Sequence, residues 1–111
     1  MILGKKVCVI VDRPLGSCHP KHKNILYPVN YGYVEGILGG DGEEQDAYIL
    51  GVNVPVESFT GKVIAIIHRI DDVEDKWVVA AEDYHCSKSD IINSIYFQEK
   101  YFQFWIESIF E

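Results

Sequence analysis

Five short segments rich in β-branched and aromatic residues, each stopped by a turn, precede one stretch with helical spacing. That order limits the chain to a few folds. Residues 6–11 end at Asp12-Arg13-Pro14. Residues 33–38 follow a turn at Pro28 and stop at Gly39-Gly40-Asp41-Gly42, and residues 46–52, 61–69 and 76–80 complete the series. Such side chains fit a pleated surface, whereas Gly, Pro and Asp interrupt it. The acidic stretch 71–75 is short enough to join the last two segments as a hairpin. Residues 14–26 carry Pro, Gly, Ser, His and Lys and read as loop. From Ser87 the period changes. Ser87-Lys88-Ser89-Asp90 has the form of a capping box. Ile91, Ile92, Ile95, Tyr96, Tyr101, Trp105 and Ile109 then recur at spacings of three and four, with Lys88, Asn93, Glu99 and Glu107 between them. This spacing predicts an amphipathic helix over about 88–110, with Ile92, Ile95 and Trp105 facing the strands. The whole reads as mainly β with one C-terminal helix (α+β): a small antiparallel barrel over about 5–82, capped by the helix.

A chain of 111 residues fits one domain, 1–111, and buries roughly 65% of the surface that it exposes unfolded. Its hydrophobic fraction of 48% and charged fraction of 24% are ordinary for a globular chain and exclude a disordered one. No apolar run approaches the length of a membrane span, and the opening residues lack the layout of a signal peptide. Cys8, Cys18 and Cys86 form no CxxC pair, which argues against structural zinc and for reduced thiols in the cytoplasm. Ten Lys and Arg against seventeen Asp and Glu give a formal net charge of −7. That balance disfavours nucleic acid. It allows an anionic ligand if divalent cations stand between ligand and protein.

Any chemistry lies in two acidic turns. The first is Gly40-Asp41-Gly42-Glu43-Glu44-Gln45-Asp46 and the second Asp71-Asp72-Val73-Glu74-Asp75-Lys76. Read alone, they are either solvated surface or two halves of a cation site. If they face each other, at least four carboxylates converge, and like charges so placed need a hard divalent cation, Mg²⁺ by preference. The aromatic segment Tyr27-Pro28-Val29-Asn30-Tyr31-Gly32-Tyr33 reads as a turn in which Tyr27 and Tyr33 pack and Tyr31 is free to point at a ligand. The histidines show no HxH or HxxxH spacing, Ser17 lies in no nucleophile elbow, and the glycines of 36–42 lack nucleotide-loop spacing.

Tyr27-Pro28-x-Asn30-Tyr31-Gly32-Tyr33, then Asp41-Gly42-Glu43-x-x-Asp46, then Asp71 with Glu74-Asp75-Lys76, resembles in order and spacing the signature of family I soluble inorganic pyrophosphatases. The resemblance spans about residues 7–80, with a weaker echo in the helix, and implies an OB-like barrel. It implies that Asp41, Asp46 and Asp71 hold Mg²⁺, with Glu74 in place of another metal-binding aspartate. Glu43 takes the place of the aspartate that activates the attacking water. Lys76 and Tyr31 match groups that hold the phosphates, and Tyr101 matches a late phosphate-binding tyrosine. Asp12-Arg13-Pro14 matches either the family's early Glu before Pro, with Lys21 or Lys23 as the lysine that follows, or the Asp-Arg pair of a later hairpin. Arg13, Lys21 or Lys23 then faces the phosphates. Phe102 stands where the family has a lysine.

The resemblance thus implies Mg²⁺-dependent hydrolysis of pyrophosphate, or a related small phosphoanhydride, to two orthophosphates. The alternative is a non-catalytic barrel that binds phosphate or a protein. The aromatic surplus near the C-terminus (Phe102, Phe104, Trp105 and Phe110) suggests core or a homo-oligomer face.

Overall fold

The structure, a computed structural model, describes residues 2–110; Met1 and Glu111, the ends of the span expected to form one domain, lie outside the described residues. Six strands and one helix follow in the order β1 (Lys6–Arg13), β2 (Asn30–Leu38), β3 (Glu44–Ile49), β4 (Ser58–Arg69), β5 (Asp75–Ala80), α1 (Lys88–Glu99) and β6 (Phe104–Ser108). The first five close a barrel in the order β1-β2-β3-β5-β4, with β4 pairing back onto β1. The OB-like barrel implied by the resemblance is therefore the fold found. It differs in one respect from the antiparallel barrel expected: β3 and β5 run parallel, Ala47 beside Trp77. The reason is topological, since an odd number of strands cannot alternate direction all the way round a closed ring. The hairpin across 70–74 forms as predicted, with Ile67 opposite Lys76.

β4 is long enough to serve two partners along one edge. Its first half pairs with β1 and its second half with β6, Ile67 opposite Ile106, while β5 occupies the other edge. The β4–β5 register shifts between Val63 and Ala65, and a bulge of this kind bends a strand enough to turn from one neighbour to the next. Gly32 lies opposite Val11 on β1, and a Cβ at that position would run into the Ile10 carbonyl. The close crossing of β1 and β2 therefore depends on glycine.

The helix predicted over 88–110 ends at Glu99. Ser87 caps it: the Ser87 hydroxyl accepts from the Asp90 N–H and the Asp90 carboxylate accepts from the Ser87 N–H, both at 3.0 Å. Beyond Lys100 the chain turns and residues 104–108 extend as β6. This segment is aromatic and β-branched, and the free half-edge of β4 offers it a ladder of hydrogen bonds that outweighs its helical spacing. Trp105 consequently does not pack on the barrel. It is 54% exposed and stacks on the His68 ring at a centroid distance of 4.2 Å. Ile95 is buried as expected, with Ile91, and Ile92 packs partly against the same core. Each fully buried isoleucine contributes roughly 1.5–3 kcal/mol.

Val9, Val34, Ala47, Ile49, Val63 and Val79 come from all five barrel strands and fill its lumen. Tyr31, Tyr48, Ile64, Ile67 and Val78 point to the opposite face, where Ile91, Ile95 and Ile106 cover them. β3, β4 and β5 are thus buried on both faces, which explains their continuous apolar runs. No helix among the described residues is long and apolar enough to cross a membrane.

Candidate active site

The helix-covered face of the barrel opens into a cleft of about 510 Å³ between β2, β3 and β5, the loop 14–26 and the C-terminal end of α1. Strand register places its central groups. Asp46 lies opposite Tyr33, and Tyr31 opposite Tyr48, so Tyr31 and Asp46 are diagonal neighbours on one face. In the parallel pair, Ala47 beside Trp77 puts Lys76 next to Asp46. The Lys76 side chain is 4% exposed, and its ammonium donates to Asp46 Oδ2 at 2.6 Å and Glu74 Oε1 at 3.2 Å. Tyr31 Oη donates to the same Asp46 Oδ2 at 2.9 Å. Burial, and then the charge of Asp46, raise the Tyr31 phenol well above its ordinary value, so it remains a donor.

The two acidic turns do meet, and a glycine is the cause. A Cβ on Gly40 would strike the carbonyl oxygen of Val73, so only a bare backbone lets the first turn settle on the second. This brings the Asp41 carboxyl beside that of Glu74, close enough for each to influence the other's charge. The Glu43 N–H, which donates to Asp41 Oδ1 at 3.0 Å, is the main reason that the Asp41 carboxyl sits below its ordinary range. Burial, opposed by Lys76, raises that of Glu74.

Beneath the cleft lies a buried polar floor. Arg69, at the end of β4, donates from Nε and Nη2 to Glu99 Oε1 and Oε2 at 2.9 and 2.8 Å, and its guanidinium lies 3.7 Å from the Phe102 ring centroid. Its Nη1 reaches Asp72 at 3.3 Å and Glu74 at 3.8 Å. Burial works against the charge of Arg69, but the hydrogen bonds and charge of Glu99 outweigh it and raise its pKa. Tyr48 Oη also donates to Glu99, at 2.6 Å. Arg13 enters from β1, where its Nη1 donates to Tyr27 Oη at 2.6 Å.

Of the residues predicted from sequence, Arg13, Tyr31, Asp46, Glu74, Lys76 and Tyr101 line the cleft, Tyr101 at its mouth with 61% exposure. Asp41 joins through Glu74. Three others stand apart from the cleft lining. Asp71 is exposed and does not line the cleft, and no group of three or more metal-type side chains brings it together with Asp41 and Asp46 among the described residues. The Lys76 ammonium already lies between Asp46 and Glu74, and the described residues hold no cluster of three or more metal-type side chains. Glu43 is exposed and does not line the cleft. Nor does Lys21, whose N–H donates to His19 Nδ1 at 3.0 Å; from that loop the cleft receives His19 and His22 instead.

The donor set nevertheless fits a hard divalent cation. Every candidate ligand is a carboxylate oxygen. Asp41 lies beside Glu74, and a cation between neighbouring carboxylates relieves their repulsion. Asp46 Oδ2 is committed to Tyr31 and Lys76, while its Oδ1 has no partner among the described residues.

Sequence reasoning missed Arg69, Glu99, Gln98, Tyr48, His19 and His22. The helical spacing sets Glu99 between the apolar positions, yet it is fully buried. One available signal was an arginine closing an otherwise apolar strand, because a charge in such a place needs a buried partner. Tyr27 packs as expected, fully buried against Tyr31 and Phe97.

The sequence profile of the family described as Inorganic pyrophosphatase matches residues 7–111. No match is found among curated proteins. Among solved structures, the chain is similar to an inorganic pyrophosphatase from Ehrlichia chaffeensis, with a TM-score of 0.74 and 16% identity, covering 96% of this chain and 88% of that one. An inorganic pyrophosphatase from Neisseria gonorrhoeae gives 0.68 and 21%, over 88% and 74%. An inorganic pyrophosphatase from Helicobacter pylori gives 0.63 and 18%, over 97% and 84%. At such identities the likeness is one of fold. The profile match spans the cleft and the helix end behind it, and on that match this chain belongs to the inorganic pyrophosphatase family.

Proposed function

We propose that the chain hydrolyses inorganic pyrophosphate to two orthophosphates in the cleft above Lys76, with Mg²⁺ as cofactor. The observation that carries this reading is the meeting of two charge types in one family-matched cleft. Cations at Lys76, Arg13 and Arg69 line the cleft together with the carboxylates of Asp46 and Glu74, and Asp41 lies beside Glu74. Asp41, Glu74 and Asp46 would hold Mg²⁺, with Asp71 at the outer edge of the second turn. When bound, that ion supplies neutralisation of substrate charge and a more acidic water.

The chain's own residues do the rest. Lys76 and Arg13 bind the phosphates, and Lys76 donates to oxygens on which charge grows as the anhydride P–O bond breaks. Tyr31 fixes Asp46 through Oδ2 and leaves its Oδ1 to orient the attacking water. Tyr101 closes the mouth. Glu43 has no part in orienting the water in this reading, because it is exposed outside the cleft. The exposed Trp105 and Ile109 are where a second copy of the chain would attach. The test is phosphate release from pyrophosphate. Release with Mg²⁺ that EDTA abolishes supports the reading, and no release with any divalent cation overturns it.

A further inference from the structure

Hydrogen bonds from both walls of the cleft end on one buried carboxylate. Arg13 Nη1 donates to Tyr27 Oη at 2.6 Å, and Tyr27 Oη donates to Gln98 Oε1 at 2.7 Å. Gln98 Nε2 donates to Tyr48 Oη at 2.7 Å, and Tyr48 Oη donates to Glu99 Oε2 at 2.6 Å. Every link points the same way, so each group fixes the orientation of the one before it. From the other wall Arg69 donates twice to Glu99. Tyr27, Tyr48 and Glu99 are all fully buried.

This arrangement exceeds what packing requires. An apolar set of the same shape would fill the space without desolvating so many polar groups. What the polar set adds is aim. Arg13 has one side-chain hydrogen bond among the described residues, to Tyr27, which leaves its other N–H groups for a ligand. Arg69 is shared among Glu99, Asp72 and Glu74, whereas Arg13 makes no salt bridge among the described residues and keeps its charge for a ligand.

We propose that Glu99 is a positioning residue for phosphate binding. It holds Arg69 directly, and holds Arg13 through Tyr48, Gln98 and Tyr27. The inference rests on the reading that the cleft takes pyrophosphate. Tyr48 is the link to test, because it lies outside the cleft lining and Tyr48→Phe removes one hydroxyl without changing shape.

Binding of pyrophosphate is measured by calorimetry in EDTA, where turnover stops, and KM and kcat are measured separately with Mg²⁺. Tyr48→Phe should weaken binding and raise KM by about three- to tenfold, the worth of one hydrogen bond, and leave kcat largely unchanged. In an Arg13→Lys background the same change should have an effect of less than about twofold, because the chain is already broken at its far end. Glu99→Gln should weaken binding more than Tyr48→Phe does; if it fails to fold, the Tyr48→Phe cycle decides. Wild-type binding by folded Tyr48→Phe, or full additivity with Arg13→Lys, overturns the proposal. A wild-type protein that binds pyrophosphate but releases no phosphate overturns the hydrolytic reading alone, and the binding cycle still tests Glu99. If the wild type binds only with Mg²⁺, KM carries the same cycle; no binding and no phosphate release overturns both.

Discussion

Glu99 at the floor of the cleft and Glu43 at its acidic rim are held in opposite ways. Glu99 is fully buried, and both of its oxygens accept from Arg69, with Tyr48 as a further donor. Glu43 is exposed, and its backbone N–H, not its carboxylate, is what engages a neighbour. The contrast extends to the surrounding residues. Gln98, Tyr48 and Tyr27 at the floor are satisfied and desolvated, whereas Asp41, Asp71 and Tyr101 at the rim lie in or near water. A buried pair is costly to break because the survivor is left charged without solvent. A rim carboxylate keeps its hydration and is easily given up. The floor therefore fixes the geometry of the cleft, and the rim is free to take and release ions.

The most severe break in this contrast is removal of one floor charge. Glu99→Leu leaves Arg69 buried without its main partner and should destabilise the protein by about 3–5 kcal/mol, read as a drop in the denaturant midpoint. Arg69→Met should cost a similar amount. The double variant Arg69→Met with Glu99→Leu should recover most of the loss, because neither member of the pair is left buried and charged alone.

Next in size is the joint between the turns. Gly40→Ala forces the first acidic turn off Val73 and should cost about 1–3 kcal/mol. It separates Asp41 from Glu74, so the Mg²⁺ concentration needed for half-maximal activity should rise, with the floor unaffected.

A smaller effect tests the rim and the helix cap by pH. Backbone N–H groups of Glu74 and Ser87 hold the carboxyls of Asp72 and Asp90 below their ordinary value of 3.8. A carboxyl with a depressed folded pKa adds stability that is fully present above the unfolded value. That stability is lost as pH falls through the folded value. Thermal midpoints should hold down to about pH 4 and then decline, and Asp90→Asn should make the decline shallower.

The smallest effect expected is at Glu43. Glu43→Gln should change stability by less than about 0.5 kcal/mol, as an exposed substitution does, and should leave turnover near wild type. A large loss of turnover would mean that the rim closes over the substrate during reaction.

How legible the molecule was in its sequence follows the same division. The barrel strands could be read because their side chains alternate between two neighbours or run apolar where both faces are covered. The hairpin at 70–74 and the cap at Ser87 have local signatures, and the three motifs that hold Tyr31, Asp46 and Lys76 could be matched because each is continuous in sequence and they follow one another in the family's order. Residues 104–108 could not be read so simply. Aromatics at positions 101, 102, 104 and 105 satisfy helical and extended periods alike, and only the vacant half-edge of β4 decides between them. The floor was also hidden. Arg69 and Glu99 are 30 residues apart, and a lone arginine at a strand end and a glutamate at a helix end are each ordinary until the fold joins them. Gly40 shows the same limit, since its role depends on a carbonyl in a turn that the sequence alone cannot bring near.

The central claim is that substrate reacts over the fixed cation at the centre of the cleft. Lys76→Met tests it most directly, measured as kcat/KM for pyrophosphate in protein whose circular dichroism matches wild type. The account predicts a fall of about 10²–10³, the worth of a donor aimed at developing charge. Turnover close to wild type in folded Lys76→Met would contradict it.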